Sequence, residues 1–485
     1  MSVDVVAALR RAAAEPDRVW MEASDGRVVT YVALLAETGR HANALAGLGV
    51  RRGDRVLMQL EKCEAVLTLY LACLRLGAVF LPVNPGYTVA ETAHFVADAE
   101  PALAILEPSR RGSVAGAVTL AEVEARATAA SEVFDDPTSG PEDLAAILYT
   151  SGTTGRSKGV MLSRENLASN AEALVGLWRF TGADVLLHAL PVFHTHGLFV
   201  ATNCVLYAGA SMIFQRGFAP AAVLAALPRA SVFMGVPTFY ARLLGEAGLT
   251  RDAVAGLRLF ISGSAPLSPA THAEWAARTG HVILERYGMT ETNMITSNPY
   301  DGARKAGTVG MPLPGVQVRI AGPDGALPPG EAGSIEVRGP NVFQGYWRMP
   351  EQTAKEFRDG WFVTGDLGAF DAKGYLSILG RVKDLVITGG LNVYPAEVEA
   401  ALDDLAGVKA SAVIGVPHAD FGEAVVACVV GTVEPEAVRA ALRDRLAGFK
   451  IPKRVVVMDD LPRNAMGKVQ KAELRRVHAG LFDQS

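Results

Sequence analysis

The chain has no run of about eighteen apolar residues, so no membrane-spanning helix is expected. It has no basic excess: 46 Lys and Arg stand against 51 Asp and Glu, for a net charge of -5. That balance argues against a nucleic-acid partner. An anionic ligand would have to meet positive charge concentrated locally. Cysteine is scarce. Cys63, Cys73, Cys204 and Cys428 are scattered, mostly within apolar runs, and form no C-x-x-C pair. They predict buried free thiols in a reducing compartment. The N-terminal stretch "MSVDVVAALRRAAAEPDRVW" lacks a signal peptide's long apolar core and carries early acidic residues, so a cytoplasmic location is expected. Internal repeats and low-complexity segments are missing too.

What is present is globular. Half the residues are hydrophobic and 20% are charged. At 485 residues the chain exceeds one ordinary core, which predicts two or three domains. In the first half, apolar strands such as "RVLMQL", "AVFLPV", "ALAILE" and "LAAILYT" alternate with helical patterns such as "AVLTLYLACLRLG", closed by Gly77. The alternation predicts α/β layers with largely parallel sheets. From about residue 307 to 382 the pattern changes to short β runs broken by "PDG", "PPG" and "EAG", which predicts a barrel-like β subdomain. Residues 383–485 read as a compact α+β domain, leaving 1–382 as the large N-terminal domain.

One segment carries phosphate chemistry on its face. "YTSGTTGRSKGV", from Tyr149 to Val160, combines hydroxyls, glycines and one lysine after a buried strand. A Walker A loop needs G-x-x-x-x-G-K-[ST]. Here Lys158 precedes a glycine and no Ser or Thr follows it, so the spacing fails. A flexible linker is the bland alternative, but ordered patterns flank both sides. Thr150, Ser151, Thr153, Thr154, the backbone of Gly152 and Gly155, and Lys158 could still wrap a polyphosphate.

The loop has companions: "PVFHTHG", "GSAPL", "ERYGMTET", "GYW", "FVTGDLG", "GRVKDLVITGGLNVYPAEVE" and "LPRNAMGK" follow in order. Together they resemble the acyl-adenylate-forming superfamily of acyl-CoA synthetases, peptide-synthetase adenylation domains and luciferases, over nearly the whole chain. The resemblance implies attack of a carboxylate on the α-phosphate of ATP, release of pyrophosphate, and displacement of AMP by the thiol of coenzyme A. It implies magnesium, held by Thr150 and Glu291. It assigns the loop to the β- and γ-phosphates, Gly263, Ser264 and Ala265 to the adenine pocket, and Tyr287, Gly288, Met289 and Thr290 to the adenine and α-phosphate. Asp366 and Arg381 would hold the ribose. Lys468 would be the catalytic lysine and His194 the pocket histidine. Lys383 falls at the family's hinge, and Gly389 and Gly390 would line the pantetheine path after domain rotation.

Taken singly, Glu291 would be a surface carboxylate, "TGD" a turn and Lys468 a solvated lysine. The acid is addressed by different residues. Arg286 precedes the "YG" of "YGMTET", and Arg242 follows "GVPTFYA". Each alone reads as a surface or helix arginine, Arg286 paired with Glu285. Two cations at two pocket positions suggest a second carboxylate, which a planar guanidinium binds through two oxygens. Thr195, His196 and Met294 would leave little depth for a fatty chain. A metal held by His194 and His196 is not expected, since no third ligand stands at a recognisable spacing. The pattern is similar to malonyl-CoA synthetases, implying malonate as substrate, with methylmalonate as a possible second. The alternatives are a general short-chain acyl-CoA synthetase, a stand-alone enzyme loading a carrier protein, and a nucleotide-binding regulator. Small-molecule substrates are the expected partners. The sequence does not address oligomeric state.

Overall fold

The computed structural model describes residues 3–150, 157–464 and 467–482. Two large sheets form the N-terminal part. In the seven-stranded sheet, Arg55–Gln59 pairs in parallel with Val79–Pro82 and Leu103–Leu106. These strands are mostly apolar, Arg55 and Gln59 excepted, because both faces are covered. The crossover helix Glu64–Leu76 ends at Gly77, whose φ of 73° supplies the left-handed C-cap.

In the nine-stranded sheet, Val185–His188, Ser211–Phe214, Val232–Gly235, Leu259–Ser262 and Leu284–Met289 are joined by parallel pairings. Their carboxyl ends deliver His188, Gly263, Ser264 and the Arg286–Met289 segment to one edge. Crevices outside the carboxyl ends of such strands are where α/β sheets bind ligands. A six-stranded antiparallel sheet follows, built on Gln317–Gly322, Gly333–Arg338, Trp361–Phe370 and Leu376–Arg381. The C-terminal unit is a five-stranded sheet with its own apolar core around Val386, Val413, Val425 and Leu442. Lys383 lies in the short 3-10 turn Val382–Asp384 between the last two sheets.

The Gly-rich loop joins two antiparallel strands, Leu144–Thr150 and Lys158–Ser163, with Thr150 opposite Lys158. A strand therefore follows it, where a Walker A loop would run into a helix. The expected contacts of Ser151, Gly152, Thr153, Thr154 and Gly155 lie outside the described residues. Cys73, Cys204 and Cys428 are buried free thiols, whereas Cys63 is half-buried at the start of the helix Glu64–Leu76. Among the described residues, no helix is long and apolar enough to cross a membrane.

Candidate active site

A hairpin forms one wall. Leu284–Met289 turns through Thr290 into Asn293–Ser297, and the register slips between Tyr287 and Gly288. Gly288 is required there: a Cβ would stand 1.9 Å from the carbonyl oxygen of Asn293. The turn buries Glu291, whose Oε1 accepts from the Tyr346 hydroxyl at 3.0 Å. Burial pushes the Glu291 carboxyl up; the Tyr346 hydrogen bond and the fields of Arg381 and Lys158 oppose this. A carboxylate offers about four lone-pair sites, so one hydroxyl does not exhaust Glu291. Among the described residues, no group of three or more His, Cys, Asp or Glu gathers around a common metal position. The oxygens of Glu291 and Thr150 are donors that would suit a magnesium ion.

Asp366 is held from two sides. Its Oδ2 accepts from the Tyr287 hydroxyl at 2.5 Å, and its Oδ1 pairs with Arg381 Nε at 2.9 Å. The two residues face each other across antiparallel strands, which fixes the pair through the backbone. Burial opposes the Arg381 charge, but Asp366, Tyr287 and Glu291 outweigh it and raise its pKa. Lys158 is also engaged. Its Nζ sits 3.0 Å from Glu356 Oε1 and 4.4 Å above the Tyr346 ring. Tyr346 and Glu356 were not singled out from sequence. Tyr346 is the tyrosine of the "GYW" motif, but Glu356 has no motif around it.

Lys468 comes to this wall from the C-terminal unit. Gly467, beside it, faces the helix Pro237–Leu244, where a Cβ on the glycine would stand 3.2 Å from Thr238 Cγ2. The Lys468 N–H donates to Asn464 Oδ1 at 3.0 Å. The lysine remains open to solvent, yet surrounding protein lowers its pKa. Arg381 and Arg286 reinforce that drop; Asp366 and Glu291 counter it. Lys468, Arg381, Asp366, Glu291 and Arg286 thus share one electrostatic environment.

Arg286 defines the floor. It is 3% exposed, and its guanidinium lies flat on Gly263, where a Cβ would fall 2.5 Å from Cζ. Its Nε and one Nη have no partner among the described residues. Burial pulls its pKa down to about 9, and the charge partners nearest to it are the Tyr240 phenol and Cys204 thiol, not a carboxylate. Glu285 is not that partner. It too is buried, and its carboxyl is pushed up to about 8 by desolvation. The surface pair that sequence allowed for these two residues is absent because adjacent strand residues face opposite ways. His196, which feels the Arg286 charge, has a buried Nε2 with no partner among the described residues, and so does its neighbour Thr195 at Oγ1. His196 Nδ1 lies 3.3 Å from Ser264 Oγ, and Ser264 adopts a left-handed φ of 73°. His194 is pulled down to about 3 by burial, then by the Lys468 and Arg286 charges, and is neutral at ordinary pH.

Arg242 departs from expectation. It is exposed on the last turn of its helix, with its guanidinium 5.0 Å from the Phe218 ring centroid. Tyr240, two positions earlier, takes the buried side of the helix and lies beside Arg286; a two-residue step turns Arg242 to the far side. The two arginines do not form a joint site. Met294 is buried in the partner strand, its backbone bonded to Asn170 and Asn341. Gly389 and Gly390 are exposed at a hairpin tip with φ of 58° and 78°, and Gly389 contacts Phe421 of its own unit. Met289 and Ala265 are half-buried near the site strands.

Comparison with known proteins places this geometry. Residues 397–468 match the C-terminal domain of AMP-binding enzymes, and residues 9–347 match the AMP-binding enzyme family itself. A feruloyl-CoA synthase of an Amycolatopsis species is 38% identical, covering 93% of this chain and 94% of that protein. A malonate–CoA ligase of Arabidopsis thaliana is 34% identical, covering 90% and 80%. The crystal structure of ATP-bound MatB from Rhodopseudomonas palustris is 52% identical and superposes with a TM-score of 0.97 over 99% of this chain and 100% of that one. The chain belongs to the AMP-binding enzymes.

Proposed function

We propose that the chain is an ATP-dependent acid–thiol ligase that makes malonyl-CoA from malonate and coenzyme A through a malonyl adenylate. The feruloyl-CoA synthase at 38% and the malonate–CoA ligase at 34% are too alike in identity to choose the acid, although the MatB structure stands at 52%. Arg286 chooses it. A buried guanidinium with unpartnered nitrogens and no carboxylate beside it is costly in the free protein and complementary to a ligand that carries its own anion. Malonate supplies one carboxylate for Arg286 and one for reaction.

In the first step a carboxylate oxygen of malonate attacks the α-phosphorus of ATP. The bond from that phosphorus to the bridging oxygen breaks, and pyrophosphate leaves with the electron pair. Lys468 supplies positive charge where carboxylate and phosphate meet. Tyr287, Asp366 and Arg381 hold the nucleoside, and Thr290 meets the α-phosphate. Magnesium bound at Glu291 and Thr150 would neutralise phosphate oxygens. Lys158 is parked on Glu356 and has to exchange that partner to reach a phosphate. In the second step the coenzyme A sulfur, its proton released, attacks the acyl carbon, and the acyl–oxygen bond breaks to free AMP. Rotation about Lys383 would bring Gly389 and Gly390 to the site for that step, with 1–382 and 383–485 as the moving bodies.

The test is pyrophosphate release from a panel of acids, with and without coenzyme A. Malonate should exceed acetate, propionate and fatty acids, and sustained AMP formation should require coenzyme A. Equal rates with monocarboxylates would favour a general short-chain synthetase. AMP formation that ignores coenzyme A but follows an added carrier protein would favour carrier loading.

A further inference from the structure

Behind the pocket a buried lysine and a buried histidine link the two large sheets. Lys62 follows the strand Arg55–Gln59, and its Nζ donates to the His188 carbonyl at 2.9 Å and stands 3.1 Å from His188 Nδ1. His188 Nε2 lies 2.9 Å from the carbonyl oxygen of Gly197, which also accepts from Thr202 Oγ1 at 3.0 Å. A carbonyl only accepts, so Nε2 carries the proton. Nδ1 is then a lone pair, and Lys62 is its donor. The contacts select a single tautomer. The Lys62 Nζ also stands 4.3 Å from the centre of the Phe214 ring, and among the described residues its hydrogen bonds go to His188.

What this chain holds is the turn that carries the pocket histidines. Gly197 packs so closely that a Cβ would stand 2.0 Å from the Pro191 carbonyl oxygen. The Leu198 N–H donates to the His194 carbonyl at 3.0 Å, closing the turn. Gly197 sits in the π-helical segment His196–Ala201, a backbone form concentrated at functional sites. We propose that Lys62 and His188 are positioning residues that, through the Gly197 carbonyl, set His194, Thr195 and His196 against Arg286. The proposal rests on the reading of that pocket as the acid site. Packing alone would be served by an apolar pair, since a buried lysine without an ion-pair partner is a net burden. Burial draws both the Lys62 amine and the His188 imidazole well below their ordinary values.

The experiment uses Lys62→Met, which keeps the stem over Phe214, His188→Leu, and His188→Gln, which retains a donor toward Gly197. Kinetics with malonate and ATP are paired with long-range 1H–15N spectra of histidine-labelled protein. Lys62→Met and His188→Leu should raise KM for malonate about tenfold, as loss of one buried hydrogen bond to a polar anchor does, and leave KM for ATP unchanged. His188→Gln should recover most of the loss. The wild-type His188 should appear as the Nε2–H tautomer, and the His194 and His196 resonances should move in Lys62→Met although neither touches Lys62. Unchanged malonate KM and unmoved resonances in a folded Lys62→Met or His188→Leu would overturn the proposal. If the resonances move but wild-type enzyme ignores malonate, positioning stands and the acid assignment falls.

Discussion

Replacing Arg286 by Met should separate affinity from stability, because the guanidinium acts in opposite senses on the two. In the free protein it is a buried cation without a carboxylate partner. The fall of its pKa from 12.5 to about 9 corresponds to about 5 kcal/mol disfavouring the charged form. Water entering the pocket relieves part of this; replacing buried ions by apolar groups of similar volume yields about 1–4 kcal/mol. Arg286→Met should therefore raise the melting temperature of the unliganded protein by a few degrees. With malonate the sign reverses. A buried, bidentate guanidinium–carboxylate contact is lost, which costs about 3 kcal/mol or more, at least roughly a hundredfold in kcat/KM. Acetate has no second carboxylate and should lose little or gain. The assays are continuous pyrophosphate release with both acids and thermal melts with and without malonate. Malonate turnover within a few-fold of wild type would refute the assignment of Arg286. A lowered melting temperature would refute the claim that its charge is uncompensated.

Lys468→Ala should abolish adenylate formation yet largely spare thioester formation from a supplied malonyl adenylate, followed as coenzyme A consumption; equal loss of both half-reactions would remove Lys468 from its role. Glu356→Gln frees Lys158 from its ion pair, so KM for ATP should fall by about two- to fivefold, the value of a partly exposed pair, with KM for malonate unchanged. Glu285 has its carboxyl raised to about 8. Between the ordinary value near 4.5 and about 8 the folded protein holds a proton that the unfolded chain has released, so this group costs stability as pH rises through that window. Glu285→Gln should melt with the wild type at pH 5 and above it at pH 8, checked by melts across that range.

The fold was legible where periodicity and punctuation were strong. Gly77 closes its helix as the sequence predicted, and the apolar strands before it are buried on both faces. The motif residues Tyr287, Asp366 and Arg381 meet in one network although they are far apart in sequence, because each sits at a strand position that its motif marks. Arg242 was misleading for a geometric reason: proximity to a pocket segment says nothing about which side of a helix a residue takes. Glu356 and Lys62 were invisible because their roles depend on partners brought by tertiary packing, Lys158 and His188, and neither lies in a patterned motif.

If Arg286 receives the second carboxylate as proposed, the pocket's selectivity follows from what is missing around it more than from what surrounds it. A site made of matched ion pairs is indifferent to an uncharged ligand, since its polar groups are already satisfied. Here Arg286 Nε and one Nη, Thr195 Oγ1 and His196 Nε2 are all buried without partners. A monocarboxylate that directs its only anion to the phosphate leaves these groups as they were, still desolvated and unpaired. A dicarboxylate satisfies them while its other carboxylate reaches the phosphorus. Sites with buried polar groups reject analogues that cannot pair them far more strongly than apolar pockets reject a missing methylene. On this reading, the cost of burying Arg286 unpaired is the source of discrimination. It also explains why His194 and His196 need to be neutral: a charged imidazole beside Arg286 would add to the uncompensated charge, and burial with the Arg286 field holds both below their ordinary pKa.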